Sequence, residues 1–400
     1  MPSLAVKVYS LFYKYLLKKQ LQSLALADAD RFISDPFGIT SRPGESVAAA
    51  NPTFQNGVAT KDIHVDPLSS LSLRIFLPES VLGAKSSINS SPGGDSENDV
   101  VYRGYSPPPL GKRCRKLPVM LQFHGGGFVS GSNVSAANDA FCRRMAKHCD
   151  AIVVAVGYRL APESRFPAAF EDAVKVLNWL GKQANLASLR NVRILGVNRR
   201  MFDSFGESMA EPWLAAHGDP SRCVLLGVSS GANIADYVAR KAVMAGKLLD
   251  PVKVVAQVLM YPFFAGNTPT KSEIKMSNSY FYDKAMCSLV WKLFLPVNEF
   301  DLDHPAANPL LPTTKPPLKD MTPTLMVVAE QDLMRDRAIA YSEELRKANV
   351  DAPVLEYKDA VHDFATLDVL LHTPQALACA EDICIWMKKY ISLRGHEFSY

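Results

Sequence analysis

The sequence predicts an α/β fold: a mostly parallel central sheet flanked by helices, with an N-terminal helical cap. Three observations carry this expectation. From Pro118 onward, short apolar runs alternate with helix-like patterns, as crossover units of a parallel sheet do. One run, Cys223-Val224-Leu225-Leu226, ends in the turn Gly227-Val228-Ser229-Ser230-Gly231 and leads into the helix-like Ala232 to Val238. Ahead of the sheet, apolar side chains between Leu4 and Leu26 recur at helical spacing.

The N-terminal stretch is rich in Leu, Tyr and Phe but interrupted by Lys7, Lys14, Lys18 and Lys19. A signal peptide needs an unbroken apolar core, and a membrane span needs about twenty apolar residues. Neither is present. Val8, Leu11, Phe12 and Tyr15 instead mark an amphipathic helix. Residues 1–52 are therefore expected to form a cap or lid over the functional site, and docking on a membrane surface is the lesser alternative.

Residues 53–400 are expected to form one body. Val58 to Val65 and Leu71 to Phe76 read as an antiparallel hairpin. Residues 82–113 turn to Ser, Gly, Pro, Asn and Asp, too little apolar surface to order a segment, so a disordered loop is expected there. Strands follow at Val119 to Phe123, Ala151 to Val156, Cys223 to Leu226, Val254 to Met260, Leu325 to Val328 and Val354 to Tyr357. Helical patterns cover Phe170 to Leu180 and Arg337 to Ala348, and a polar insert is expected over 181–210. Tyr280 to Phe294, rich in Phe, Trp, Met and Leu, reads equally as a pocket-lining helix and as ordinary core.

Composition narrows the function. The 400 residues are 48% hydrophobic, ample for one large core, and carry a formal net charge of only +4 with scattered positive residues, so no nucleic-acid partner is expected. Seven cysteines, an odd number without Cys-x-x-Cys spacing, argue against a disulfide framework and for a reducing compartment, so a cytoplasmic location is expected. No metal or cofactor is implied.

The turn at Ser229 carries chemistry. Gly-x-Ser-x-Gly between a strand and a helix is a nucleophile elbow, which exposes a strained serine above the sheet. A serine hydroxyl also needs a base and a group that orients the base. After the strand ending at Ala329 come Glu330, Asp332 and Asp336, with Asp332 the best-placed acid; after Tyr357 comes His362, the best-placed base. Ser, then Asp, then His is the chain order of an α/β-hydrolase. His124-Gly125-Gly126-Gly127, after another apolar run, supplies backbone N–H groups for an oxyanion hole that Ser230 would complete. His124 itself reads as a hydrogen-bonding support under that loop.

With these residues together, the chain resembles the plant carboxylesterases of the hormone-sensitive-lipase group of α/β-hydrolases. The resemblance rests on His124 to Phe128, Gly227 to Gly231, Asp332 and His362, and on Tyr158-Arg159-Leu160-Ala161-Pro162-Glu163 followed by Phe166-Pro167-Ala168. It implies a serine esterase with Ser229, His362 and Asp332 as a triad, acting on small esters without a cofactor. Three features depart from the group: Val228, often acidic there; Ser230, often alanine or another small residue; and the long polar insert over 181–210. The gibberellin receptors are similar to the same group, which gives the alternative of a non-catalytic small-molecule receptor. The resemblance implies that such receptors lack the histidine that stands here as His362. Physiological substrate and oligomeric state are not legible.

Overall fold

The computed structural model of the protein describes residues 2–29, 37–83, 104–108, 114–193 and 210–392. Eight strands among them form a single sheet: β1 (Val58–His64), β2 (Ser72–Pro78), β3 (Leu117–Phe123), β4 (Ile152–Gly157), β5 (Gly218–Val228), β6 (Val254–Met260), β7 (Thr324–Ala329) and β8 (Val354–Tyr357). Their order across the sheet is β1-β2-β4-β3-β5-β6-β7-β8. β2 is antiparallel to both β1 and β4, and every later pairing is parallel. This is the hairpin-then-crossover arrangement expected from the apolar runs. Central strands such as β3 and β4 are buried at every residue, as parallel strands covered on both faces must be.

The helices are α1 (Leu4–Ala29), α2 (Ala136–Cys149), α3 (Ala168–Arg193), α4 (Pro212–His217), α5 (Ser230–Ala245), α6 (Lys271–Lys275), α7 (Lys284–Phe294), α8 (Arg335–Lys347) and α9 (Pro374–Ile391). α3 continues through Arg193, so the first part of the stretch read as a polar insert is helical. The rest of that stretch, 194–209, lies outside the described residues, as do 84–103 and 109–113 of the expected loop.

α1 forms as expected, but with the opposite face inward. Leu11 and Phe12 are 71% and 60% exposed, and Val8 and Tyr15 are exposed too. Leu17 and Leu21 are buried, and Tyr9 and Tyr13 pack on the ring of Phe281 at 6.0 and 5.4 Å. The helix carries apolar side chains on two opposite faces, so periodicity alone could not select the buried side. The selection comes from an aromatic cluster with Phe281 and Tyr282, and from Lys14, whose ammonium donates to Asn278 Oδ1 at 2.9 Å and to the Ser279 carbonyl. No described helix is long and apolar enough to cross a membrane.

One cysteine pair departs from the expectation. Cys149 at the end of α2 is disulfide-bonded to Cys384 in α9, with Cα atoms 4.9 Å apart across a sequence separation of 235. Only the packing of α2 on α9 creates that proximity, and no local spacing announces it. Cys142, Cys223 and Cys379 are buried and unbonded, small apolar fillers as read.

α5 is held in place by a buried polar network. The Arg240 guanidinium donates to Asp236 Oδ2 at 2.7 Å and to the Tyr341 hydroxyl at 2.7 Å, and that hydroxyl donates to Asp236 Oδ1 at 2.7 Å. Tyr341 belongs to α8, so the network ties the helix that follows Ser229 to α8. Removing one member strands a buried charge. Asp236→Ala is expected to lower unfolding free energy by about 3 kcal/mol or more in urea denaturation.

Candidate active site

Ser229 sits between the last residue of β5 and the first of α5, with φ +51° and ψ −119°. A non-glycine residue in this region costs on the order of 1–3 kcal/mol and persists only where its surroundings over-determine it. Here the backbone does so. The Ser229 N–H donates to the Met260 carbonyl at 2.9 Å, and its own carbonyl accepts from the N–H groups of Ala232 at 2.9 Å and Phe263 at 3.2 Å. The flanking glycines are required for space. A Cβ on Gly227 would collide with the Gly231 backbone, and one on Gly231 with the Phe123 carbonyl of β3.

Asp332 and His362 lie on the loops after β7 and β8. Those loops are stitched together: Gln331 N–H donates to the Ala360 carbonyl at 2.9 Å, and Asp359 N–H donates to Glu330 Oε2 at 2.7 Å. The stitching brings both side chains to Ser229. His362 Nε2 lies 2.8 Å from Ser229 Oγ, and His362 Nδ1 lies 2.8 Å from Asp332 Oδ2. All three residues are buried. The second oxygen of Asp332 accepts the Met334 N–H at 3.0 Å, which fixes the carboxylate. The rival acids are engaged elsewhere: Glu330 holds the Asp359 N–H, and Asp336, in the first turn of α8, accepts from Ser272 N–H at 2.8 Å.

Sequence reasoning passed over the neighbour of His362. Asp363 Oδ1 stands 3.9 Å from His362 Nε2, so the ring faces a carboxylate on each side. Burial pulls the His362 pKa down, but the charges of Asp332 and Asp363 outweigh it and hold the group above its ordinary 6.5. Burial also pushes the Asp363 carboxyl above the usual range, against the opposing charge of His362 and a hydrogen bond from the Tyr282 hydroxyl at 3.1 Å. The Tyr282 ring meets the His362 ring edge-on at 5.0 Å. Asp363 was visible as a second acid beside the histidine; Tyr282 belongs to the aromatic stretch whose role the sequence left open.

The glycine loop follows β3. Gly125 approaches Ser229 so closely that an added Cβ would lie 3.3 Å from the serine Cβ. Gly126 and Gly127 adopt φ +108° and +63°, and no described acceptor takes their N–H groups. Phe128 N–H donates to Ser230 Oγ at 3.2 Å, so the serine that departs from the group's small residue ties the elbow to this loop. His124 stacks on Tyr158 with ring centroids 4.1 Å apart, and its Nδ1 lies 2.8 Å from the Gly125 carbonyl. Burial lowers its pKa to about 4, so the ring is neutral and supports the loop rather than donating into it. The Tyr158 hydroxyl donates to the His124 carbonyl at 2.8 Å.

That bond gives a structural role to the Tyr158–Glu163 motif, for which the residues alone offered none. Glu163 takes two hydrogen bonds, at 2.7 and 2.8 Å, from Arg42, whose Nε also donates to the Val129 carbonyl at 2.7 Å. Beneath the loop, Trp291 and Phe294 of α7 are fully buried against Phe263 and Phe128. They are core.

Residues 120–366 match a family model described as alpha/beta hydrolase fold. The chain belongs to the α/β-hydrolase family. It is 63% identical to the probable carboxylesterase 11 of Arabidopsis thaliana, over the full length of both chains. It is 32% identical to the Arabidopsis gibberellin receptor GID1C, over 80% of this chain and 78% of the receptor. A thermostable esterase from Pseudomonas putida superposes with a TM-score of 0.63 at 20% identity, covering 98% of each chain, a likeness of fold.

Tyr158→Phe removes a buried donor and leaves the His124 carbonyl unpaired. The variant is expected to lose about 1–3 kcal/mol of unfolding free energy in urea titration. An unchanged midpoint would mean that the hydroxyl does not brace the loop.

Proposed function

We propose that the protein is a serine carboxylesterase that hydrolyses small carboxylic esters through an acyl-enzyme. The observation that carries this reading is the unbroken relay from Asp332 through His362 to Ser229, with 2.8 Å at both joints, beside free backbone N–H groups of a glycine loop. The 63% identity to a relative named as a probable carboxylesterase supports it.

His362 Nε2 takes the proton of Ser229 Oγ as the oxygen attacks the ester carbonyl. Asp332 holds the Nδ1–H tautomer and stabilises the imidazolium that forms. The carbonyl oxygen gains negative charge in the tetrahedral intermediate and is met by N–H groups of Gly125, Gly126, Gly127 and Ser230. These groups are fixed before the reaction and need no reorganisation when the charge develops. His362 returns the proton to the departing alcohol, then activates water to release the acid and regenerate the serine. Neither half-reaction needs a metal or a cofactor. α1 serves as the lid over this centre, through Tyr13 on its inner face.

The competing reading, a small-molecule receptor on the same fold, draws on the 32% identity to a gibberellin receptor. His362, in place and hydrogen-bonded to Ser229, favours the enzyme.

Two measurements test the assignment. Ser229→Ala should remain folded by circular dichroism yet lose hydrolysis of a short-chain aryl ester by a factor of at least about a thousand; full activity would remove Ser229 from the mechanism. The base must be neutral to accept a proton, and its pKa is held above 6.5 by two carboxylates. Activity should therefore fall as pH drops through a value above 6.5, and Asp363→Asn, which removes one of those charges, should move that limb to lower pH. A limb that stays put in the variant would contradict the influence of Asp363 on His362.

A further inference from the structure

A cavity of about 570 Å³ opens beside the proposed centre, lined by the neighbours of Ser229 and His362 and not by those two residues themselves. It is bounded by Gly125 and Gly126 of the glycine loop, by Val228 beside Ser229, and by Tyr13 of α1, and its size suits a small ester. Its charge is one-sided. Glu45, Asp363 and Asp368 line it, while no lysine or arginine among the described residues does. The three carboxylates stand at successive depths. Asp368 is exposed at the rim, Glu45 is half-buried in the wall, and Asp363 is buried beside His362.

Hydrogen bonding within the fold leaves acceptor capacity unused. Glu45 Oε1 accepts the Gly131 N–H at 2.6 Å, and the buried Ser132 hydroxyl stands by the same carboxylate. His124 is only 2% exposed and lines the same cavity, and its Nε2 has no partner. With Nδ1–H directed at the Gly125 carbonyl, that Nε2 carries a lone pair. The nearby guanidinium of Arg42 is already occupied by Glu163 and two backbone carbonyls. Burial raises the pKa of the Glu45 carboxyl, in spite of the Gly131 bond, as befits a group that no cation fully offsets. A buried acceptor left bare is costly, and a ligand that donates or carries positive charge would relieve the cost. The rings of Tyr13 and Tyr282, also in the wall, offer faces suited to a cation.

We propose that the ester hydrolysed here carries a positively charged ammonium group close to its carbonyl, held by Asp363, Glu45 and Asp368 and faced by Tyr13 and Tyr282. The proposal rests on the esterase reading above and adds the substrate class to it. An ester bearing a carboxylate in that place meets three like charges in a partly desolvated cavity and is rejected.

The test uses esters matched in shape and different in charge. On the alcohol side, acetylcholine is compared with its uncharged isostere 3,3-dimethylbutyl acetate and with an acetate ester ending in a carboxylate. On the acyl side, the p-nitrophenyl ester of an acid ending in trimethylammonium is compared with that of the acid ending in tert-butyl. In at least one arm the cationic ester should show kcat/KM about tenfold above its neutral isostere, with the anionic ester below both. The preference should shrink as salt is added. It should also fall toward unity in the double variant Glu45→Gln, Asp368→Asn. Choline should inhibit the wild-type protein competitively and more strongly than dimethylbutanol, a readout that requires no variant.

A ratio at or below one in both arms would overturn the ammonium proposal, and so would a ratio untouched by the double variant. Either result would leave the esterase reading intact, because the neutral isosteres would still be hydrolysed. If the wild-type protein hydrolysed none of the esters, the esterase reading itself would fall and this proposal with it.

Discussion

The site depends on one strained residue and the space around it. Ser229 adopts a backbone conformation that side chains avoid, and three backbone hydrogen bonds hold it there. Gly227 and Gly231 let α5 start hard against β3 and β5, where any Cβ would strike backbone. Only that close approach sets the hydroxyl on the line where His362 can reach it and brings Gly125 alongside. The rest of the fold serves this geometry. A parallel sheet delivers loops after β3, β5, β7 and β8 to one edge, and buried polar ties, such as Arg240–Asp236–Tyr341 behind α5, keep those loops in register.

Much of this was legible in the sequence because it is local. A buried parallel strand is a short apolar run, and a sharp turn needs its glycines at fixed offsets, so β3, β5, β6, β7 and β8 and the elbow could be read directly. Asp332 was favoured over Glu330 and Asp336 by position alone, and it is Asp332 whose Oδ2 lies 2.8 Å from His362 Nδ1. What escaped was set by long-range packing. The pairing of Cys149 with Cys384 joins residues 235 apart, and α2 and α9, which create it, were passed over. The inward face of α1 was misjudged because both faces are apolar; the choice belongs to Phe281 and Tyr282, far along the chain. The cavity wall was equally hidden, since Glu45, Asp363 and Asp368 meet only in the folded molecule.

The two single-residue departures from the family pattern have different weights. Ser230 retains the backbone role of a small residue and adds a hydroxyl that accepts the Phe128 N–H, which couples the elbow to the glycine loop. Val228 lines the cavity with an apolar side chain, so the negative charge along the cavity comes from Glu45, Asp363 and Asp368 instead. The support under the loop comes from His124 stacked on Tyr158, and from Arg42, which binds the loop's far end to Glu163. These contacts act on the site through position and touch no reacting atom.

The central claim is that Ser229 is primed by His362 and Asp332 to attack an electrophile. The most direct measurement is incubation with a fluorophosphonate, followed by digestion and mass spectrometry of the peptides. The account predicts a single phosphonyl adduct on Ser229, formed in the wild-type protein and lost in His362→Ala. A wild-type protein that remains unlabelled, or carries the label on another residue, would contradict it.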